Sequence, residues 1–248
     1  MPRPLVAGSQ SEQAGRLIVA GALIVLLPQL PLGNYLLYPL TILTTWFHEM
    51  GHGIAALLLS WDFERLVLLP DGSGFAESYT TEPVAAWERA AIAGSGPLAP
   101  AMFGALLILA TARQRLWRPV LFALAGLLAL STLIWVRSLV GWVVLPLVAL
   151  TLAGIAWRAR DTLVCFTLQL LGVLGALSML RDMNYLFSHS GVIAGRAMLS
   201  DTGAMEEALL LPHWLWAIVI LALSALMIGA SLKWALAEDA GDRLITRR

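Results

Sequence analysis

Charged residues are grouped along the chain, and long uncharged stretches separate the groups. Five stretches contain no charged residue: 90–112, 119–136, 138–157, 162–180 and 208–232. A transmembrane helix needs about 20 mostly apolar residues to cross the hydrocarbon core. Each stretch therefore predicts one membrane span.

A sixth and longer stretch, 17–61, contains a single charged residue, Glu49. Its length is sufficient for two helices, and Pro28, Pro31 and Gly33 interrupt it. Because proline and glycine break helices, we expect a shorter helix over 17–27 and a longer one over 34–60. No small-residue cleavage site follows the first segment, so we expect it to be a retained anchor. We therefore expect six or seven membrane spans in total.

The composition supports a membrane protein. Apolar residues make up 59% of the chain and charged residues 13%, against about 45–50% and about 25% in soluble domains. A soluble surface could not be covered with so few polar residues, so the bilayer is the predicted partner. Lysine and arginine together equal aspartate and glutamate in number, and nucleic acid is therefore not an expected partner. A single cysteine, Cys165, excludes a disulfide framework and predicts a buried thiol.

These features predict an all-α polytopic membrane protein with one short β-hairpin. We expect a single transmembrane domain over 17–234, an N-terminal tail over 1–16 and an exposed C-terminal tail over 235–248. The hairpin is predicted over 61–82, where two short extended runs flank a glycine-rich turn. The segment 181–211 is predicted to be a long polar loop.

The most informative motif is an HExxH sequence inside the long second hydrophobic segment. Residues four apart lie on one face of a helix, so His48 and His52 can both direct a ring nitrogen at one zinc ion. Glu49 can then reach a water on the metal and act as general base and general acid. Ionisable groups inside a membrane span cost several kcal/mol unless paired or metal-bound. A structural polar cluster is therefore the weaker interpretation.

A catalytic zinc site keeps three protein ligands, and the third must come from elsewhere in the chain. Asp182 is the first choice, because it directly follows an uncharged span and could reach a site in the bilayer. Asp201 is the second choice. His189 and His213 are candidates by residue type, although His213 begins the last span, where an interfacial histidine is the commoner case.

The residues 48–53, the hairpin that follows them and the sequence 93–98 resemble the site-2 protease family of intramembrane zinc metalloproteases, most closely its bacterial M50B-like branch. The resemblance covers about 44–107 well. It implies that His48, His52 and Asp182 bind Zn²⁺, that Glu49 is catalytic, and that the protein lies in a bacterial plasma membrane. Two departures stand out: no Leu-Asp-Gly motif surrounds Asp182, and Pro100 stands where the family has an asparagine.

The glycine-rich elements are predicted to shape a substrate groove. The hairpin offers backbone groups to which an unwound substrate segment could add as a further strand. Small residues at the start of the following span let helices approach closely beside the metal. The predicted groove residues are Gly72, Gly74, Gly94, Gly96 and Pro97.

The function predicted from these patterns is hydrolysis of a peptide bond in or near a membrane-embedded segment. The substrate would be a membrane protein or peptide. Two alternatives use the same His/Glu/Asp cluster: an ion transporter, which should show paired broken helices in two halves of the chain, and a non-catalytic membrane scaffold.

Overall fold

The computed structural model describes the backbone of residues 10–245 and the side chains of residues 11–237. The predicted tails over 1–16 and 235–248 therefore lie partly outside the described residues. The elements, in chain order, are α1 Gln10–Leu26, α2 Gly33–Leu58, β1 Asp62–Leu68, β2 Gly74–Tyr79, α3 Ala86–Thr111, α4 Gln114–Ile134, α5 Leu139–Arg158, α6 Asp161–Arg181, α7 Met183–Leu186, β3 Ser190–Ile193, β4 Arg196–Leu199, α8 Asp201–Leu209 and α9 His213–Ile245.

Six helices within this region are long and apolar enough to cross a membrane: α1, α3, α4, α5, α6 and α9. The predicted all-α polytopic architecture is confirmed. The helix that carries the HExxH motif, α2, is not one of the six, because its threonines, glycines, histidines and glutamate lower its mean hydropathy. The break predicted between the first two helices is a 3₁₀ turn, Leu27–Gln29.

The main core joins α2 and β1 to buried residues of α3, α4, α5 and α6. On α2, Trp46 and Phe47 are fully buried, and the Trp46 indole N–H donates to Ser131 Oγ on α4 at 2.9 Å. Helices α3 and α6 approach closely at small residues: a Cβ added to Gly175 would lie 2.3 Å from the Pro100 carbonyl oxygen. The close approach of α3 to α6 is typical of membrane helices that pack through small residues.

The predicted hairpin is confirmed. β1 and β2 pair in antiparallel fashion, and Asp71 stabilises the turn by accepting hydrogen bonds from the Ser73 backbone N–H and hydroxyl. The outer edge of β1 is covered, since the Leu66 N–H donates to the Trp135 carbonyl at 2.9 Å and its carbonyl accepts from Arg137. No strand among the described residues pairs with the outer edge of β2.

The segment 181–211 contains regular structure where we expected a loop. It folds into α7, the β3–β4 hairpin and α8. The hairpin closes through a two-residue turn at Ala194 and Gly195, both at positive φ, the geometry of a type I′ turn. Ala-Gly is a weaker hairpin signal than Asn-Gly, which explains why the pattern did not indicate strands here.

Candidate metal centre

Helix α2 places the two histidines of the HExxH motif on one face, as predicted. Their ring centroids lie 4.9 Å apart at an interplanar angle of 70°. Both side chains are mostly buried, with exposed fractions of 19% for His48 and 15% for His52. The pair is therefore held in the interior and directed toward a common point.

Asp201 lies at that point. Its Oδ2 is 3.0 Å from His48 Nε2, and its Oδ1 is 3.3 Å from His52 Nε2. These three residues form the one group of potential metal ligands found in the described part of the chain, with ligand atoms within 4.8 Å of one another. The Asp201 carboxylate, at the start of α8, thus joins the two histidines of α2 in one group of possible metal ligands.

The fold positions Asp201 through the start of α8. Ser200 is the N-cap, and its hydroxyl oxygen accepts the Gly203 backbone N–H at 3.0 Å. The Ser200 N–H donates to the His189 carbonyl, while the Thr202 hydroxyl donates to the Leu186 carbonyl at 2.7 Å. These bonds fasten the first turn of α8 to the segment between α7 and β3, and so fix the carboxylate beside α2.

Asp182, our first choice for the third ligand, is not part of this group. It follows the last residue of α6, with its Oδ1 3.5 Å from Arg181 Nε and its side chain 44% exposed. Asp182 was preferred because it follows the end of a membrane span. Instead, the chain continues through α7 and the β3–β4 hairpin, which return the start of α8 to α2. Asp182 lines a neighbouring cavity.

The other two histidines lie together, apart from the His48/His52 pair. The rings of His189 and His213 contact each other edge to face, with centroids 5.7 Å apart. His213 Nδ1 also lies 2.7 Å from a Glu206 carboxylate oxygen. Neither histidine belongs to the ligand group among the described residues.

The residues present fit a zinc ion. His52 Nδ1 donates to the Ile92 carbonyl at 2.7 Å, which leaves Nε2 as the lone-pair nitrogen, the second-shell pattern of metal-binding histidines. Asp201 Oδ2 is buried without a properly oriented hydrogen-bond donor. Two ligand atoms that each lie about 2.0–2.1 Å from a tetrahedral ion are about 3.3 Å apart. The Asp201 oxygens lie 3.0 Å from His48 Nε2 and 3.3 Å from His52 Nε2, close to this value. Two nitrogens and one carboxylate oxygen are a common zinc donor set.

The charge of Asp201 is matched to the two imidazoles. Burial acts to raise the pKa of its carboxyl, but the nearby His52 and His48 outweigh this effect and hold the pKa well below its ordinary value. The carboxylate is therefore ionised at neutral pH, as a metal ligand must be.

Glu49 is 5% exposed and lies between the ligand group and the hairpin. A Cβ added to Gly74 would lie 3.2 Å from Glu49 Cγ, so β2 packs directly against this side chain. The hairpin therefore forms one wall of the site.

A cavity of about 250 Å³ opens beside His48 and Glu49. The turn of the first hairpin, strand β3, and the ends of α6 and α7 enclose it. Its lining residues include Thr44, Thr45, His48, Glu49, Gly72, Ser73, Gly74, Pro97, Pro100, Ser178, Met179, Arg181, Asp182, Tyr185, Leu186, Val192 and Ile193.

The predicted groove residues divide into two groups. Gly72, Gly74 and Pro97 line the cavity. Gly96 instead faces the histidine: a Cβ added there would lie 2.1 Å from His52 Nε2. Gly94 faces α8, where an added Cβ would lie 3.2 Å from Met205 Cε. Gly96 therefore leaves room for the His52 imidazole, and Gly94 leaves room for α8 to pack against α3.

Tyr185 also borders the cavity, although no sequence pattern singled it out. Burial, together with the negative charges of Asp201 and Glu49, raises the pKa of its hydroxyl above the ordinary value. The hydroxyl is therefore protonated throughout the physiological range. Only the folding of 183–201 brings this side chain to the site.

Comparison with protein-family models gives a match to the peptidase M50B-like family over residues 17–231. The chain belongs to that family. Comparisons with curated proteins and with solved structures found no match. Members of the M50 family are zinc metalloproteases, and family membership together with six apolar helices indicates an integral membrane protein. The resemblance inferred from the motif is confirmed, and the His48/His52/Asp201 group lies within the matched region.

Gly96→Ala is expected to weaken zinc binding by at least about tenfold, because the new methyl would displace the His52 imidazole. Zinc content of the purified full-length protein measures this effect. Gly154→Ala is the matched control, since a Cβ there meets no atom within 4 Å. Equal zinc content in both variants would contradict the proposed role of Gly96.

Asp201→Asn and Asp182→Asn distinguish the two aspartates. We expect Asp201→Asn to lower zinc affinity by more than about tenfold, because a neutral amide replaces the anionic ligand, and Asp182→Asn to leave it unchanged. Competition with a calibrated zinc chelator measures both affinities. Loss of zinc in Asp182→Asn alone would restore the original assignment.

Proposed function

We propose that the protein is an intramembrane zinc metalloprotease that hydrolyses a peptide bond in or near a membrane-embedded segment. The observation that carries the proposal is the convergence of His48, His52 and Asp201 on one point beside the buried Glu49. Membership in the peptidase M50B-like family supports it. We further propose a bacterial plasma membrane as its location.

His48, His52 and Asp201 would hold the zinc ion. When bound, zinc lowers the pKa of a coordinated water toward about 7 and polarises a carbonyl group. The Nε2 atom of His52 is available for this role because the hydrogen bond from its Nδ1 to the Ile92 carbonyl fixes the tautomer of that ring.

Glu49 would be the general base and then the general acid. Its carboxylate borders the same cavity as His48, within a buried environment. It takes a proton from the attacking water as the new C–O bond forms. It then donates that proton to the leaving nitrogen as the C–N bond breaks. Such proton transfer contributes about 10²–10⁴-fold to rate.

The substrate would enter as an extended segment along β2. A peptide bond is accessible only where a helix has unwound, and an unwound segment leaves backbone groups that need partners inside a membrane. Among the described residues, no strand occupies the outer edge of β2, and this strand packs against Glu49. Strand addition at that edge would satisfy the substrate backbone and present a carbonyl to the site.

The composition of the cavity wall supports a proposal about the substrate side chains near the cleaved bond. Met179, Leu186, Val192 and Ile193 provide apolar surface, whereas Arg181 and Asp182 provide one charge of each sign. We therefore propose a largely apolar membrane segment as the substrate class.

Glu49→Gln is expected to lower the rate of cleavage by at least about 10³-fold with zinc content unchanged, because the amide cannot accept the proton. Cleavage of model membrane segments by protein in detergent or liposomes, read by mass spectrometry, measures it. Glu82→Gln is the control, since Glu82 lies on the exposed connection between β2 and α3.

Undiminished cleavage by the Glu49→Gln variant would contradict the mechanism. The same preparations separate the alternative functions. Tightly bound zinc without cleavage of any segment would indicate a scaffold. Zinc flux into proteoliposomes would indicate a transporter.

A further inference from the structure

The cavity beside His48 and Glu49 contains several hydroxyl side chains, and almost all of them are already engaged as donors. Thr44 donates to the Thr41 carbonyl at 2.8 Å, and Thr45 donates to the Gly72 carbonyl at 2.6 Å. Ser73 donates to an Asp71 carboxylate oxygen and Ser178 to the Gly175 carbonyl. None of these four hydroxyl protons is available to a substrate without breaking an internal bond.

The remaining walls offer few alternatives. Pro97 and Pro100 have no side-chain donor, and both border the cavity. The Arg181 guanidinium donates to Thr41 Oγ1 at 3.1 Å and lies beside Asp182 at the exposed end of α6. Among the lining hydroxyls, that of Tyr185 donates no hydrogen bond to another group in the described part of the chain.

The position of Tyr185 suits a donor aimed at the reacting bond. Tyr185 lines the same cavity as His48 and Glu49, and the negative charges of Asp201 and Glu49 both act on its hydroxyl. A phenol hydroxyl that donates no hydrogen bond within the protein can give its proton to a substrate oxygen. Tyr185 thus borders the same cavity as the proposed general base.

The neighbours of Tyr185 restrict its position. Its ring packs on Gly191 of β3, where an added Cβ would lie 3.4 Å from ring atoms Cδ2 and Cε2. The Tyr185 carbonyl accepts hydrogen bonds from both the backbone N–H and the hydroxyl of Ser188. A donor held in this way loses little conformational freedom when the reaction occurs, which is the condition for effective electrostatic stabilisation.

We propose that Tyr185 is a catalytic residue whose hydroxyl donates a hydrogen bond to the oxygen of the scissile carbonyl. As the water oxygen bonds to the carbonyl carbon, an electron pair moves onto this oxygen and negative charge develops there. Tyr185 keeps its proton and stabilises that charge, while Glu49 carries the proton from water to the leaving nitrogen. When the C–N bond breaks, the carbonyl re-forms. This role rests on the proposed function.

The test compares two probes on zinc-loaded, full-length protein. A phosphinic Ala-Leu dipeptide places an anionic oxygen where the charge would develop, and a mercapto analogue with the same side chains binds the metal through sulfur without that oxygen. We expect Tyr185→Phe to weaken binding of the phosphinic peptide by about 10²–10³-fold and to leave the mercapto analogue within about twofold. Calorimetry or fluorescence competition measures both, with zinc content as a check on integrity.

Tyr35→Phe is the matched control, because Tyr35 lies near the start of α2 and is 78% exposed, and it should change neither affinity. With a cleaved model segment, Tyr185→Phe should lower kcat by a similar factor with little change in KM. An equal loss of affinity for both probes, or an unchanged affinity for the phosphinic peptide, would overturn the role of Tyr185. Failure of unaltered, zinc-loaded protein to bind either probe would overturn the proposed function, and this role with it.

Discussion

The structure depends on the contact of one buried carboxylate with two buried imidazoles. Inside an apolar helix bundle, an ionisable group without a partner costs several kcal/mol, and α2 carries His48, Glu49 and His52 within two turns. Asp201 offsets that cost by placing one oxygen near each histidine. The same arrangement leaves Asp201 Oδ2 without a well-oriented donor, a deficit that a divalent cation would remove.

Several neighbouring elements hold the histidines and Asp201 in position. Gly96 leaves room for the His52 ring where α3 crosses α2, and the Ile92 carbonyl fixes the tautomer of that ring. The Ser200 cap and the Thr202 hydroxyl fasten α8 so that its first residue meets α2. The first hairpin closes the opposite side and packs against Glu49. The site is therefore built from elements that are far apart in the chain, held by short hydrogen bonds and close helix contacts.

The sequence was sufficient to predict the features that depend on local patterns. Uncharged stretches predicted the spans, because the bilayer imposes a length on them. The glycine-rich turn predicted the β1–β2 hairpin, and the spacing of His48 and His52 predicted a shared face of a helix. That Asp201 rather than Asp182 joins the two histidines has a different cause: it depends on how 183–199 folds. The Ala194-Gly195 turn and the Ser200 cap decide that path, and neither is a strong signal in isolation. Tyr185 was missed for the same reason.

X-ray absorption spectroscopy at the zinc edge of the full-length, zinc-loaded protein tests the central claim most directly. The account predicts one tightly bound zinc with two imidazole nitrogens at about 2.0–2.1 Å and carboxylate oxygen at about 2.0–2.2 Å, with no sulfur ligand. A protein that retains no zinc, or a coordination shell that contains sulfur or lacks the pair of imidazoles, would contradict it.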